Sequence, residues 1–338
     1  MKKRLLIFML TIFSVWGLLA LSPKPKAMEV NPFIREDLPL IIAHGGGNLE
    51  FPDNTLEAYY HAYSINPNVM LETDVSLTKD GVLILSHDTT LDRKTNLTQA
   101  LISEINYQDL IDNEVNFGYE NLVEPLSNGF NVSNEFNLYV NYLGNHVSPL
   151  DVTYPTDVIP RHSEIFLATT LEELIKAFPN NKINVEIKQQ GEIGLKALEA
   201  LIELMDRLDE TYNTYERIVL ATFHESIYDA MVTYKKTTHE DLLFSPQNRV
   251  VQKYYILQRL KLSVFFTDAI AVLQVPLSHG DFDLATKSFI QTAQSHHIAV
   301  HYWTVNDEAT MRMLIELGVD GIMTDKVTLL NEVLKDYE

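Results

Sequence analysis

The sequence contains no cysteine. That excludes disulfides, Cys-ligated zinc, iron–sulfur clusters and thiol nucleophiles. Positive charge is also scarce. Lys plus Arg number 26 against 46 Asp plus Glu, a net charge of −20, and no basic cluster exceeds Lys2-Lys3-Arg4. A field of that sign opposes general binding to nucleic acid or anionic lipid unless a local basic surface exists, so no nucleic-acid partner is expected. Three nucleotide or nucleophile signatures are missing as well. There is no Gly-x-Ser-x-Gly elbow, no phosphate loop ending in Gly-Lys-Ser/Thr, and no Gly-x-Gly-x-x-Gly fingerprint. No internal repeat or low-complexity tract is present.

Apolar material is plentiful. Of 338 residues, 46% are hydrophobic, enough to build one large core or two of ordinary size. The first apolar run, Leu5 to Leu21, follows the Lys2-Lys3-Arg4 flank. This is the arrangement of a secretion signal, and its length is marginal for spanning a bilayer. Two readings stay open, a cleaved signal peptide and an uncleaved signal-anchor. Either places the remainder outside the cytoplasmic membrane: secreted, periplasmic, or anchored on its outer side. Pro23, Pro25 and Pro32 mark a linker. Residues 1–29 are therefore read as signal plus linker, and 30–338 as the folded domain.

Strand-like runs recur through that domain, at 40–43, 69–75, 183–187, 218–222, 242–245, 271–275, 298–303 and 319–323. Most are separated by enough chain for a helix. Residues 193–208, for example, carry apolar side chains at helical spacing. Eight strands with intervening helices suggest a (β/α)8 TIM barrel, although an open doubly wound sheet would give a similar pattern. A ninth run, 82–86, follows the second strand after only four residues. That is too short for a parallel crossover, so it must be a hairpin turning at Asp80-Gly81. Pairing about that turn sets Asp74 opposite Leu85 and Glu72 opposite His87. Residues 97–165 are rich in Asn and Tyr, with turn signals at Asn128-Gly129 and Pro149. They read as a segment inserted into the barrel, positioned to cover the site or contact substrate.

Several residues could carry chemistry. His44 ends the first strand and is followed by Gly45-Gly46-Gly47, whose amides could meet an anion. Asn54 and Glu57 have the spacing of a helix capping box. Glu72 and Asp74 are two apart on a strand and share a face. Two carboxylates facing a barrel interior resist burial unless a cation offsets them, and without Cys that cation is a hard one, Mg2+ or Ca2+. His87 lies near Glu72 through the hairpin and with His44 could form an acid–base pair. Asn184, Glu186 and Lys188 share a face, with Glu186 placed as a third ligand and Lys188 able to meet a phosphate or the acidic cluster. Trp303 sits at another strand end and could wall a site for a small organic group.

Taken in order, His44-Gly, Pro52-Asp53-Asn54-Thr55, Glu72-Thr-Asp74-Val with Thr78-Lys-Asp-Gly81, and His87-Asp88 with Leu91 and Arg93-Lys-Thr95 form a series. Val185-Glu-Ile-Lys188, Trp303-Thr-Val-Asn306 and Gly318-Val-Asp-Gly-Ile-Met-Thr-Asp325 complete it. This series resembles the glycerophosphodiester phosphodiesterase family, TIM-barrel enzymes related to bacterial phosphatidylinositol-specific phospholipase C. The resemblance implies that His44 and His87 are the general acid and base. It implies that Glu72, Asp74 and Glu186 hold one divalent cation, and that Lys188 assists the phosphate. The implied substrate is a small glycerophosphodiester, cleaved to an alcohol and glycerol 3-phosphate. A lysophospholipid or an envelope glycerophosphate polymer is the alternative, the N-terminal segment bringing the chain to a membrane. The family usually has Arg directly after the first His, where this chain has Gly45, and Glu where it has Asp53. Losing that guanidinium opens a further alternative, a barrel that binds without turnover. Replacements for the charge would come from the Gly45–Gly47 amides, Lys188, Arg93 or Arg161.

Overall fold

The structure, a computed structural model, describes every residue except 1, 36, 96, 98 and 119–138. The expected turn at Asn128-Gly129 lies outside the described residues. The strands are β1 (Leu40–Ala43), β2 (Met70–Leu77), β3 (Leu83–Leu85), β4 (Ile183–Ile187), β5 (Ile218–Ala221) and β6 (Leu243–Phe244). They continue with β7 (Val272–Val275), β8 (Ser278–His279), β9 (Phe282–Asp283), β10 (Ala299–Tyr302) and β11 (Gly321–Thr324). The helices are α1 (Lys2–Leu21), α2 (Leu56–Ile65), α3 (Tyr107–Asp112), α4 (Leu171–Ala177), α5 (Gly191–Tyr212) and α6 (Thr214–Arg217). After them come α7 (Glu225–Thr237), α8 (Asn248–Arg259), α9 (Lys287–Ser295), α10 (Glu308–Leu317) and α11 (Val327–Leu334).

Eight strands run parallel in the order β6-β5-β4-β2-β1-β11-β10-β7. The Ala271 N–H donates to the Phe244 carbonyl (3.1 Å) and brings the two ends of that order together. This is the expected (β/α)8 barrel, and each of the eight runs read from the sequence overlaps one of its strands, β2 and β11 running on past theirs to Leu77 and Thr324. The alternation along each strand explains both cores. Leu40, Ile42, Met70, Val219, Leu243, Val272 and Ala299 point inward and fill the barrel's lower half. Ile41, Leu71, Val75, Ile183, Val185 and Ile187 point outward and pack under the helices. Met70, Glu72 and Asp74 therefore share one inward line, and the carboxylates come last, at the C-terminal mouth.

The hairpin forms, but its register is one residue away from the expectation. Val75 pairs with Leu85 and Leu77 with Leu83. The loop contains three residues, Lys79, Asp80 and Gly81, with Gly81 left-handed at φ 81° and its N–H on the Thr78 carbonyl. A three-residue loop of this kind shifts the pairing relative to a two-residue turn.

The segment read as a linker is part of the fold. Asn31 Nδ2 donates to the carbonyls of Ala271 (2.6 Å) and His297 (2.8 Å), and the Ala27 N–H donates to His296 O (2.8 Å). Phe33, fully buried, plugs the bottom of the barrel interior. Of the inserted segment, the described residues pack beside the first loop and α2 through Tyr142 N–H on Leu49 O (2.8 Å) and the Tyr60–Tyr154 ring pair.

Candidate active site

Strand register assembles the site. β2 and β4 are neighbours with Glu72 beside Asn184 and Asp74 beside Glu186. Their inward carboxylates meet at the barrel mouth, where ligand oxygens of Glu72, Asp74 and Glu186 all lie within 4.8 Å of one another. β1 lies between β2 and β11, with Ala43 beside both Leu71 and Thr324. One residue further on, His44 therefore stands between Glu72 and Asp325. Its Nδ1 lies 2.6 Å from Asp325 Oδ1, and Asn306 Nδ2 holds the other Asp325 oxygen at 2.6 Å. His87, beyond β3, has Nδ1 2.9 Å from Asp88 Oδ1. Both histidines keep Nε2 for the cavity they line.

The electrostatics follow from burial and charge. Burial, with Asp74 alongside, pushes Glu72 well above the usual carboxylate range, and burial also raises Glu186. Burial alone would lower His44, but the Asp325 hydrogen bond and the field of Glu72 outweigh it and raise His44 to about 10. The hydrogen bond to Asp88 raises His87. Lys188 Nζ bridges Asp74 Oδ1 and Glu186 Oε1, each at 3.0 Å. Beside Lys188 and His44 the three buried carboxylates still crowd one another, and burial together with this crowding holds Glu72 and Glu186 above the usual range. Asp74 Oδ1 is buried and makes no hydrogen bond of good geometry. Crowded carboxylates and an all-oxygen donor set fit a hard divalent cation.

A second layer holds these groups. Asn54, left-handed at φ 59°, accepts from Thr73 Oγ1 (2.9 Å), Tyr59 OH (3.1 Å) and the Asp74 N–H (3.0 Å), and its Nδ2 donates to Asp74 Oδ2 (3.0 Å). Arg93 grips Asp53 with both terminal nitrogens (3.1 Å each) and Asp88 through Nε (2.6 Å). An Asp53–Arg93–Asp88–His87 chain thus links the glycine loop to the second histidine.

Several expectations are corrected. The α2 cap is Thr55, whose side chain accepts from Ala58 N–H. Asn54 belongs instead to the carboxylate network, and Glu57 pairs with Arg161 (3.2 Å). Gly45 does not offer its amide to a phosphate, because that N–H donates to Glu72 Oε2 (2.8 Å). The Gly47 N–H is likewise taken by the His44 carbonyl (2.9 Å). Arg161 is held by Glu57, Glu173 and the carbonyls of Leu167 and Ala168, away from the cavity. No described residue of 97–165 lines the cavity. Sequence reasoning missed Asp325 as the partner of His44 and Asn54 as the support of Asp74. The Thr-Asp ending of the 318–325 stretch was the available signal for the first.

The cavity above the carboxylates holds about 700 Å3. Its inner end is polar, with His44, Glu72, His87, Asn184, Glu186 and Lys188. Its outer wall is apolar, built from Phe223, Val251, Tyr255, Ile256, Phe282 and Trp303. Trp303, on this wall, stands edge-to-face with Phe223, ring centroids 6.0 Å apart.

The chain is similar to known proteins in sequence and in fold. Among curated proteins, the human Lysophospholipase D GDPD1 is 26% identical over 327 residues, covering 88% of this chain and 86% of its own. The Glycerophosphodiester phosphodiesterase of Bacillus subtilis is 24% identical over 99% of both chains. Among solved structures, an Oleispira antarctica phosphodiesterase in complex with the product sn-glycerol-3-phosphate superposes with a TM-score of 0.59 at 19% identity, over 88% of this chain and 97% of its own. The model of the glycerophosphoryl diester phosphodiesterase family matches residues 44–329. The chain belongs to that family and is a phosphodiesterase.

Proposed function

We propose that the protein cleaves glycerophosphodiesters to an alcohol and glycerol 3-phosphate, using His44 and His87 as the acid–base pair and one divalent cation, Ca2+ or Mg2+. The observation that carries this reading is the pairing of each histidine with its own carboxylate, Asp325 and Asp88, beside the acidic triad. Glu72, Asp74 and Glu186 would hold the cation. When bound, it would offset their charge, ease the hold on the His44 proton and polarise a phosphoryl oxygen. With Nδ1 tied, each imidazole presents Nε2. One takes the proton of the attacking oxygen as the new P–O bond forms; attack by water gives glycerol 3-phosphate directly, whereas attack by the substrate's own 2-hydroxyl gives a cyclic phosphate that water then opens to glycerol 3-phosphate. The other delivers a proton to the alkoxide as the old P–O bond breaks. Lys188 supplies positive charge to the phosphate, in the absence of the arginine usual after the first histidine. Phe223, Tyr255 and Trp303 flank the leaving group.

The apolar outer wall favours a second reading, that the substrate carries a hydrocarbon chain, as in a lysophospholipid. The name of the human relative supports it. Phosphorus NMR of the chain incubated with glycerophosphocholine, glycerophosphoglycerol or lysophosphatidylcholine, with Ca2+, Mg2+ or EDTA, separates these. Glycerol 3-phosphate released only with a cation supports the main reading. A preference for lysophosphatidylcholine, with lysophosphatidate as product, supports the second. Undiminished turnover in metal-free protein would sink the cation's role.

A further inference from the structure

The chain is strongly acidic, yet residues 242–267 contain no Asp or Glu and four basic residues, Arg249, Lys253, Arg259 and Lys261. This stretch forms α8 and the turn after it. Two of its cations are satisfied by neighbours, Arg249 by Glu225 and Asp229, and Lys253 by Asp268. Arg259 and Lys261 are exposed and have no ion pair among the described residues. They bracket Leu260, which is 52% exposed. One turn earlier on the same face, Ile256 is 56% exposed and lines the cavity. Phe265 follows the helix, and Phe282 and Phe223 stand at the cavity mouth, each also more than half exposed.

A second acid-free stretch spans residues 1–28, and its helix α1 touches the first. Trp16 Nε1 donates to the Leu260 carbonyl (2.9 Å), and α1 exposes Leu10, Phe13 and Leu18. No helix among the described residues is long and apolar enough to cross a membrane. Apolar side chains framed by unpaired cations, on a helix beside a cavity mouth, suit the headgroup–acyl boundary of a bilayer. A soluble polyanion would be met by the cations alone and leaves Leu260, Phe265 and Ile256 without a partner.

We propose that Ile256, Leu260 and Phe265, with Arg259 and Lys261, form a docking face for an anionic lipid surface, which holds the cavity mouth against the bilayer. The face draws substrate from the lipid phase if the hydrocarbon-bearing reading above is right, but the docking itself does not depend on turnover.

The missing cysteines permit a direct test. Single cysteines are placed in the full chain at Leu260→Cys or Phe265→Cys, with Ser64→Cys on α2, across the barrel, as control. Each is labelled with an environment-sensitive fluorophore and mixed with vesicles of phosphatidylcholine alone or with phosphatidylglycerol. Neither Leu260 nor Phe265 lines the cavity, and an unchanged circular dichroism spectrum and melting temperature check that each variant is folded. The expected result is several-fold brightening at 260 and 265 with anionic vesicles, less with neutral ones, and none at 64. Arg259→Glu with Lys261→Glu should weaken the anionic response roughly ten-fold or more. Aqueous probes at 260 and 265 on vesicle-bound protein would overturn the proposal, as would no binding to vesicles or equal responses to both lipids. A response to soluble polyphosphate matching that to vesicles would assign the face to an anionic polymer instead.

Discussion

Asp325 and Gly45 show how single positions set the chemistry of this site. Asp325 holds His44 Nδ1, which leaves Nε2 for the proton transfer proposed above, so in that scheme it acts by positioning. Asp325→Asn keeps the shape but loses the charge that fixes the tautomer. It should lower kcat by up to roughly 10²- to 10⁴-fold, the contribution of one acid–base group, with KM nearly unchanged. An unchanged kcat would show that His44 needs no partner. Gly45 stands at φ 56°, and a Cβ there would lie 2.9 Å from Asp53 Cβ. Restoring the arginine usual in the family should therefore strain the backbone by about 1–2 kcal/mol. Gly45→Arg is expected to lower the melting temperature without raising kcat/KM, and a gain in kcat/KM would contradict this.

The elements of the fold were more legible than their joints. Eight buried Val/Ile/Leu-rich runs separated by helix-length segments point to a barrel, because parallel strands covered on both sides cannot read otherwise for long. The inward line of Glu72 and Asp74, and that of Glu186 and Lys188, follow from a period of two. Loop geometry was less accessible. One residue in the Lys79–Gly81 loop shifted the hairpin pairing, and one residue separated Asn54 from the true cap at Thr55. Contacts between distant positions, such as His44 with Asp325, leave no local pattern. The same holds for the 25–35 segment, whose prolines suggest a linker but whose Phe33 closes the barrel floor. Phe33→Ala should cost about 3–5 kcal/mol in urea unfolding, as for a large core aromatic. A loss below about 1 kcal/mol would mean that the segment merely rests on the surface.

For the whole molecule, stability and activity draw on different ends of the barrel. His301 is fully buried in the lower interior, where its ring nitrogens make no hydrogen bond of good geometry, and burial, only partly offset by the Phe33 backbone, lowers its pKa to about 3. An unfolded histidine titrates near 6.5, so below that pH the unfolded chain takes a proton that the folded chain refuses. The titration of His301 therefore takes nothing from stability above pH 6.5 and progressively more as the pH falls toward 3. The difference in unfolding free energy between wild type and His301→Leu should change by about 1.4 kcal/mol per pH unit below pH 6, and a flat difference would show that the ring is protonated inside. At the upper end, the central claim is that three carboxylates hold one catalytic cation beside two histidines. The most direct test is calorimetric titration of EDTA-stripped protein with Ca2+ or Mg2+, with glycerol 3-phosphate release followed in the same samples. The account predicts one ion bound per chain, turnover rising in step with occupancy, and both lost in Glu72→Gln and Glu186→Gln. Stripped protein that binds no ion and still turns over at the full rate would contradict it.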